Sequence, residues 1–180
     1  MAQEDDNSSV ATFNRETARD VGRVVELSSL KSQICRDALN IWNELRGDRE
    51  FPSREQITPR KLAPFLRSVT LYEIVDAGED FRRRVMGDST ARIFGGKSGG
   101  TRVLLNANSA GMGDIVCRLN MAVMKQRGPL ALRGWLRRGE DDFIFHETVM
   151  LPLGVHDDID HILAVAAYGT SYSDAIEPEI

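Results

Sequence analysis

Five strand-like runs, arranged as a pair followed by a group of three, most constrain the fold of this 180-residue chain. The runs are rich in β-branched and aromatic residues, and Gly and Asp residues mark the turns between them. Helical sequence separates the pair from the group of three. Because strands joined by short turns pair in antiparallel fashion, this order predicts an α+β domain with an antiparallel sheet. The runs cover residues 68–75, 81–86, 130–138, 143–153 and 161–168.

A strongly amphipathic segment precedes the strands. Its apolar residues recur at intervals of three and four, which places them on one face of a helix. Ser28 or Ser29 can cap the start of this helix, and Gly47 can end it in a left-handed conformation. The apolar face must pack against the chain's own core or against a second copy. The candidates for a dimer interface are Leu30, Ile34, Ile41 and Leu45.

These patterns divide the chain into four parts. Residues 1–27 are polar and charged, with too few large apolar groups to fold alone, and they predict a disordered or partner-dependent arm. Residues 28–47 form the amphipathic helix, residues 48–170 the main domain and residues 171–180 a tail. Within the main domain, a longer helix is expected over residues 111–126.

Composition and charge exclude several classes of protein. Hydrophobic residues make up 42% and charged residues 28% of the sequence, as in ordinary globular proteins. The net charge of −4 gives no overall attraction to nucleic acid, so no nucleic-acid partner is expected. No apolar run approaches the roughly 20 residues that span a bilayer, and the N-terminus lacks the order of a signal peptide. Cys35 and Cys117 lie in apolar helical patterns, which indicates buried thiols and a cytoplasmic location.

A series of short motifs is spread over residues 36–168. They are Trp42 with Arg46-Gly47, Pro52-Ser53-Arg54, Ile57-Thr58-Pro59, Leu71, Asp80-Phe81-Arg82-Arg83-Arg84-Val85-Met86-Gly87, Phe94-Gly95, Gly100, Glu147 and Leu151-Pro152-Leu153. In this order and at these intervals, the motifs resemble a bacterial family of PAS-like proteins of largely unassigned function, the PAS_5 or DUF1457 family.

The resemblance implies a five-stranded antiparallel sheet flanked by helices, with a small-molecule cavity between the sheet and the helices. It also implies a sensory or interaction role, since related PAS domains bind haem, flavin or metabolites, or dimerise. In other related PAS domains, the amphipathic N-terminal helix packs on the outer face of the sheet and carries a signal to a partner. The cofactor or ligand stays unknown from the sequence.

Candidate ligand-binding residues come from the strands and from the longer helix. Side-chain alternation places Arg82 and Arg84 on one face of a strand, and Arg84 matches the arginine of the family motif. Arg84 therefore meets an anionic ligand or a partner carboxylate, unless the charged strand only protects the sheet from pairing with other chains. Aromatic residues on the strands either line a cavity or fill the core. A methionine on the longer helix can line the same cavity with a flexible side chain. The candidates are Arg84, Met86, Met112, Trp135, Phe143, Phe145 and His146.

Catalytic and metal-binding patterns are lacking, so neither an enzyme nor a metal site is expected. Gly96-Lys97-Ser98 is not a phosphate-binding loop, because Ala91 occupies the position of its first glycine. The three histidines lack zinc-site spacing. His146 is conceivable as a haem ligand, but a hydrogen-bonded histidine on a sheet face is the simpler interpretation.

The sequence thus predicts a stand-alone sensory or interaction domain in signal transduction. It would bind a small molecule, a protein partner or a second copy of itself, and its output would act in trans. Two alternatives stay open, a ligand-free dimerisation module and a cyclic-dinucleotide effector that uses the scattered arginines.

Overall fold

The computed structural model describes residues 21–94, 101–103, 112–137 and 140–169. The strands are β1 (Arg23–Val25), β2 (Val69–Val75), β3 (Asp80–Met86), β4 (Thr101–Arg102), β5 (Leu130–Arg137), β6 (Phe143–Val155) and β7 (Asp158–Gly169). The α-helices are α1 (Gln33–Arg46), α2 (Pro59–Leu62), α3 (Asp88–Phe94) and α4 (Met112–Gln126). Short 3₁₀ turns cover Leu27–Ser29, Arg54–Gln56, Ala63–Ser68 and Asp76–Gly78.

The seven strands form one antiparallel sheet in the order β1-β5-β6-β7-β2-β3-β4. The predicted α+β class and the five predicted strands are confirmed, as β2, β3, β5, β6 and β7. The expected number of strands was too low, because β1 and β4 extend the two edges of the sheet. Strands of two or three residues carry too little alternation to be recognised, and they form where a neighbouring strand offers unpaired backbone groups.

The N-terminal boundaries also differ from the prediction. Arg23–Val25 forms β1 and a 3₁₀ turn begins at Leu27, so ordered structure starts within the segment predicted as an arm, residues 1–27. Helix α1 begins at Gln33, with Ser32 at its N-cap position, since Leu27–Ser29 forms a 3₁₀ turn. Residues 1–20 and the predicted tail lie outside the described residues.

Helix α1 covers the outer face of the sheet. Its buried side chains are Cys35, Ala38 and Trp42. They belong to one apolar core with side chains from the central strands, among them Leu151 and Val165, which are wholly buried. The amphipathic helix therefore packs on the chain's own sheet, and its burial removes a large apolar area from water.

Helix α4 covers the opposite, inner face. Ile115, Leu119 and Val123 pack there against strand residues such as Phe81 and Ile162. The sheet thus separates two apolar cores. Because side chains alternate along a strand, neighbouring residues of the central strands serve different cores. This alternation decides which side chains can reach a cavity on the inner face.

Candidate functional site

A small cavity of about 70 Å³ lies on the inner face of the sheet. Its volume suffices for a few water molecules and is below the ~150 Å³ of an engineered cavity that binds benzene. Part of the wall is apolar and is formed by Leu132, Leu136 and Met150. The side chains of Ala164 and Ala166 are small and leave the space open. Among the described residues, no Lys, Arg, Asp or Glu lines the cavity.

His146 is the central polar group of this cavity. Its Nε2 lies 2.6 Å from the carbonyl oxygen of Val21, and its Nδ1 lies 2.8 Å from Oγ1 of Thr148. Burial lowers the pKa of His146, so the ring is neutral at neutral pH. Because a carbonyl oxygen can only accept, Nε2 carries the proton and donates to Val21, and Nδ1 accepts from the Thr148 hydroxyl.

Tyr72, Tyr168 and Thr90 also contribute hydroxyl groups to the lining, and all three are neutral. Burial raises the pKa of both Tyr72 and Tyr168 above the ordinary tyrosine value. The Thr90 hydroxyl is buried and interacts with the Tyr168 hydroxyl. These two hydroxyl groups can reorient to hydrogen-bond a water or a ligand in the cavity.

The structure separates the sequence-predicted candidates. His146 lines the cavity, whereas Trp135, Phe143 and Phe145 do not. Trp135 and Phe145 form an edge-to-face pair with centroids 5.4 Å apart, and both Trp135 and Phe143 are nearly half exposed. They lie on the outer face, because residues 143 and 145 alternate with His146 along β6. The cavity therefore does not bring these aromatics together with His146.

The remaining candidates are not brought together. Arg84 lies on the outer face, where its Nη1 is 3.7 Å from the Glu73 carboxylate that also contacts Arg82. Met86 pairs with Thr70 at the end of β3 and does not line the cavity. Met112 begins α4, but its side chain lies outside the described part of the chain, as does the loop of residues 95–100.

The cavity residues that the sequence did not single out are Tyr72, Thr90, Thr148, Tyr168 and Val21. A sequence signal exists for part of this set. His146, Thr148 and Met150 alternate along β6, and Ala164, Ala166 and Tyr168 alternate along β7. Small residues at alternate positions of one strand indicate space above that face of the sheet.

A buried ion pair holds α1 on the outer face. The Glu147 carboxylate is wholly buried and accepts hydrogen bonds from the backbone N–H groups of Lys31 at 2.9 Å and Ser32 at 2.6 Å. Nε of Arg133 donates to the same carboxylate at 2.7 Å. Ser32 makes no side-chain cap of its own, so a strand residue supplies the anion at this helix N-terminus.

The other end of α1 is anchored by Trp42. Its Nε1–H donates to the carbonyl oxygen of Pro152 at 2.7 Å, and the ring is buried. Pro152 lies in the same strand as Glu147, so β6 holds both ends of the helix. The four residues predicted for a dimer interface lie on this packed side: Leu30 is buried in the outer core, and Ile34, Ile41 and Leu45 are partly buried against it.

Residues 30–165 match a family model, PAS_5, described as a PAS domain. The chain belongs to this PAS domain family. The resemblance inferred from the motifs is thereby confirmed, and so is the PAS-like α+β fold. This PAS domain has no match among curated proteins.

Solved structures similar to this PAS domain include two of LOV proteins. The crystal structure of the Rhodobacter sphaeroides LOV protein is 16% identical with a TM-score of 0.44, over 63% of this chain and 67% of that one. The RsLOV d2 variant is 16% identical with a TM-score of 0.40, over 62% and 66% of the two chains.

The described residues contain neither a membrane-spanning helix nor a metal-binding cluster. None of the helices found there has the length and apolar character needed to cross a bilayer. In the same parts of the chain, no three His, Cys, Asp or Glu side chains form a group that could hold a metal ion.

Proposed function

We propose that this PAS domain is a cytoplasmic sensor that binds a small molecule in its inner cavity and signals to a protein partner through its N-terminal segment and α1. The Thr90 hydroxyl carries the proposal, because it is a buried polar group that lines the cavity and can turn from the Tyr168 hydroxyl to a bound molecule. His146 and Tyr168 add neutral hydrogen-bonding groups to the same wall. We expect no catalytic activity.

The proposal is tested by native mass spectrometry of freshly purified protein and by thermal unfolding with a panel of small metabolites. We expect one class of neutral compound to raise the melting temperature. Thr90→Val is the matched variant, since it keeps the shape and removes the hydroxyl. It should fold normally and bind the same compound less tightly. A protein that carries no ligand and responds to no member of the panel would contradict the proposal.

A dimerisation module is the second candidate, and the exposed aromatics of the outer face favour it. Trp135 is 47% and Phe143 is 46% exposed, near the N-terminal end of α1. The helix residues first considered for an interface pack on the chain's own core instead, so Ile34→Asp should destabilise the monomer. Trp135→Ser tests the alternative: it should convert a dimer to a monomer in analytical ultracentrifugation and leave a monomeric parent unchanged.

No contact of the described residues favours the cyclic-dinucleotide alternative. Arg82 and Arg84 share the carboxylate of Glu73, and Arg133 is paired with Glu147. These guanidinium groups lie on the outer face and do not converge on the cavity. Titration with a cyclic dinucleotide at physiological salt is the direct test, because purely electrostatic binding weakens as salt is added.

A further inference from the structure

The cavity is connected to the N-terminal segment through one side chain. His146 lines the cavity and donates to the carbonyl oxygen of Val21, 125 residues away in sequence. Val21 lies two residues before the start of β1, and its own side chain is buried and also lines the cavity. A residue of the N-terminal segment thus forms part of the wall of the proposed ligand site.

Two glycines allow this contact. Gly134 of β5 lies directly opposite His146 of β6, and a Cβ on Gly134 would lie 2.4 Å from Cα of Gly22. A Cβ on Gly22 would in turn lie 2.5 Å from the carbonyl oxygen of Arg133. Because neither residue has a side chain, the backbone at residues 21–22 can cross close to β5 and bring the Val21 carbonyl to His146.

Strand β1 itself is weakly held. It has three residues and pairs only with β5 among the described strands, at the edge of the sheet. Short edge elements open at a low free-energy cost relative to the central strands. The His146 contact is therefore a substantial part of what fixes this segment.

Helix α1 is held separately and from the other face. Glu147, the residue after His146, binds the backbone of Lys31 and Ser32 on the outer side of the sheet. Consecutive residues of β6 therefore anchor two different parts of the N-terminal region. The anchor of β1 faces the cavity, whereas the anchor of α1 faces away from it.

We infer that a small neutral molecule with a hydrogen-bond acceptor and an apolar body replaces Val21 at His146 and thereby releases β1, while Glu147 keeps α1 docked. This inference rests on the proposed function. A neutral ligand is required because an ion would lose its hydration in a site without a charged partner. An acceptor is required because His146 Nε2 carries the proton that Val21 now accepts.

The exchange of partners is nearly balanced in energy. One hydrogen bond to His146 replaces another, so the ligand must offset only the modest pairing of β1 and the burial of Val21. Withdrawal of the Val21 side chain also enlarges the cavity, which lets it admit a ring that the closed cavity is too small to hold. Binding of the ligand and release of β1 are then the same event.

Hydrogen exchange followed by mass spectrometry tests the anchor without any ligand. His146→Phe removes the donor and should speed exchange of residues 22–26 by roughly three- to tenfold, the effect of losing one net hydrogen bond. His146→Gln keeps an N–H donor and should retain much of the protection. Exchange of residues 33–46 should stay unchanged in both variants. The inference is overturned if His146→Phe speeds exchange of residues 22–26 and 33–46 equally. It is also overturned if exchange of neither segment is faster.

A second pair of variants displaces β1 from a position on β5, without changing His146. Gly134→Ala places a methyl group against Gly22, whereas Gly128→Ala meets only ordinary contacts, with its nearest atom at 3.8 Å. Gly134→Ala should release residues 22–26 and leave α1 protected, and Gly128→Ala should do neither. If α1 loses protection together with β1 in Gly134→Ala, the two anchors are not separate and the inference fails.

The ligand class is tested with cyclopentanone, an apolar ring with one acceptor, against methylenecyclopentane, which has the same shape without the acceptor. Binding is followed by NMR and release by exchange of residues 22–26. Cyclopentanone should bind and accelerate exchange in the parent but not further in His146→Phe, and methylenecyclopentane should cause no release. If cyclopentanone binds without releasing β1, the inference is overturned, but the proposed function is not. If neither compound binds, the ligand class inferred here fails, whereas the proposed function is decided by the native mass spectra and the metabolite panel.

Discussion

Glu147 accepts a hydrogen bond from the backbone N–H of Ser32 at 2.6 Å, and so a wholly buried strand carboxylate caps the helix on the outer face of the sheet. Arg133 of the neighbouring strand supplies the balancing charge. The charge pair joins β5, β6 and α1 at one point. A buried pair of this kind contributes little over an apolar contact while intact, but it is costly to break.

Replacement of Glu147 by Gln should therefore destabilise the protein strongly. Gln leaves the Arg133 guanidinium, which is 17% exposed, without its counter-charge, and we expect a loss of about 3–5 kcal/mol in the free energy of unfolding. Urea denaturation measures it. Glu50→Gln is the control, because the Glu50–Arg127 pair is exposed and should matter little. Similar losses in the two variants would contradict a special role for the buried pair.

The second anchor of α1 can be tested with the two tryptophans of the chain. Trp42→Phe keeps most of the buried ring and removes the N–H that donates to Pro152. An unsatisfied buried carbonyl should lower the free energy of unfolding by about 1–3 kcal/mol. Trp135→Phe should have almost no effect, since Trp135 is 47% exposed. Thermal unfolding of both variants provides the comparison.

Cys35 reports on the docking of α1. It lies wholly buried between the helix and the sheet, and burial raises the pKa of its thiol to about 12. Because the thiolate is the reactive form, labelling of Cys35 at pH 8 should require the helix to open. In a Cys117→Ser background, we expect slow labelling by an aromatic disulfide reagent and faster labelling when Trp42→Phe is added. Rapid labelling of the folded parent would show that α1 is not docked.

The helices and strands of this fold could be predicted where an element is long enough for its pattern of apolar residues to repeat. The spacing of apolar residues locates α1, and alternation locates the five long strands. Strands β1 and β4 could not be recognised, because they consist of three and two residues. Their formation depends on the edges that β5 and β3 offer, which exist only after the sheet has assembled.

The site was harder to predict than the fold. The aromatic character of Phe143 and Phe145 suggested a cavity lining, but strand alternation sends them to the face opposite His146. This alternation along β6 can be read from the sequence alone, and it argues against Phe143 and Phe145 as cavity residues. The contact between His146 and Val21 was not available, because it joins residues 125 positions apart through two glycines whose proximity only the structure shows.

The stability of the domain should depend on pH through His146. Burial lowers the pKa of His146 in the folded state below its ordinary value of 6.5. Below about pH 6.5, the unfolded chain therefore binds a proton that the folded chain resists, and the free energy of unfolding falls as the pH decreases toward the lowered folded pKa. The slope contributed by one such group is at most about 1.4 kcal/mol per pH unit. Above pH 6.5 its contribution is constant.

Urea unfolding at pH 7.5, 6.5 and 5.5 isolates this contribution when the parent is compared with His146→Gln. Carboxylates titrate in both proteins and cancel in the difference, so the advantage of the parent should shrink between pH 6.5 and 5.5. His156→Asn is the matched control, because His156 is exposed in the turn between β6 and β7, where its φ of 56° also suits Asn. This variant shows how the difference responds when a histidine outside the cavity is replaced. If the difference between the parent and His146→Gln does not shrink between pH 6.5 and 5.5, the imidazole is not held neutral by burial, and the assignment of Nε2 as the proton donor to Val21 loses its basis.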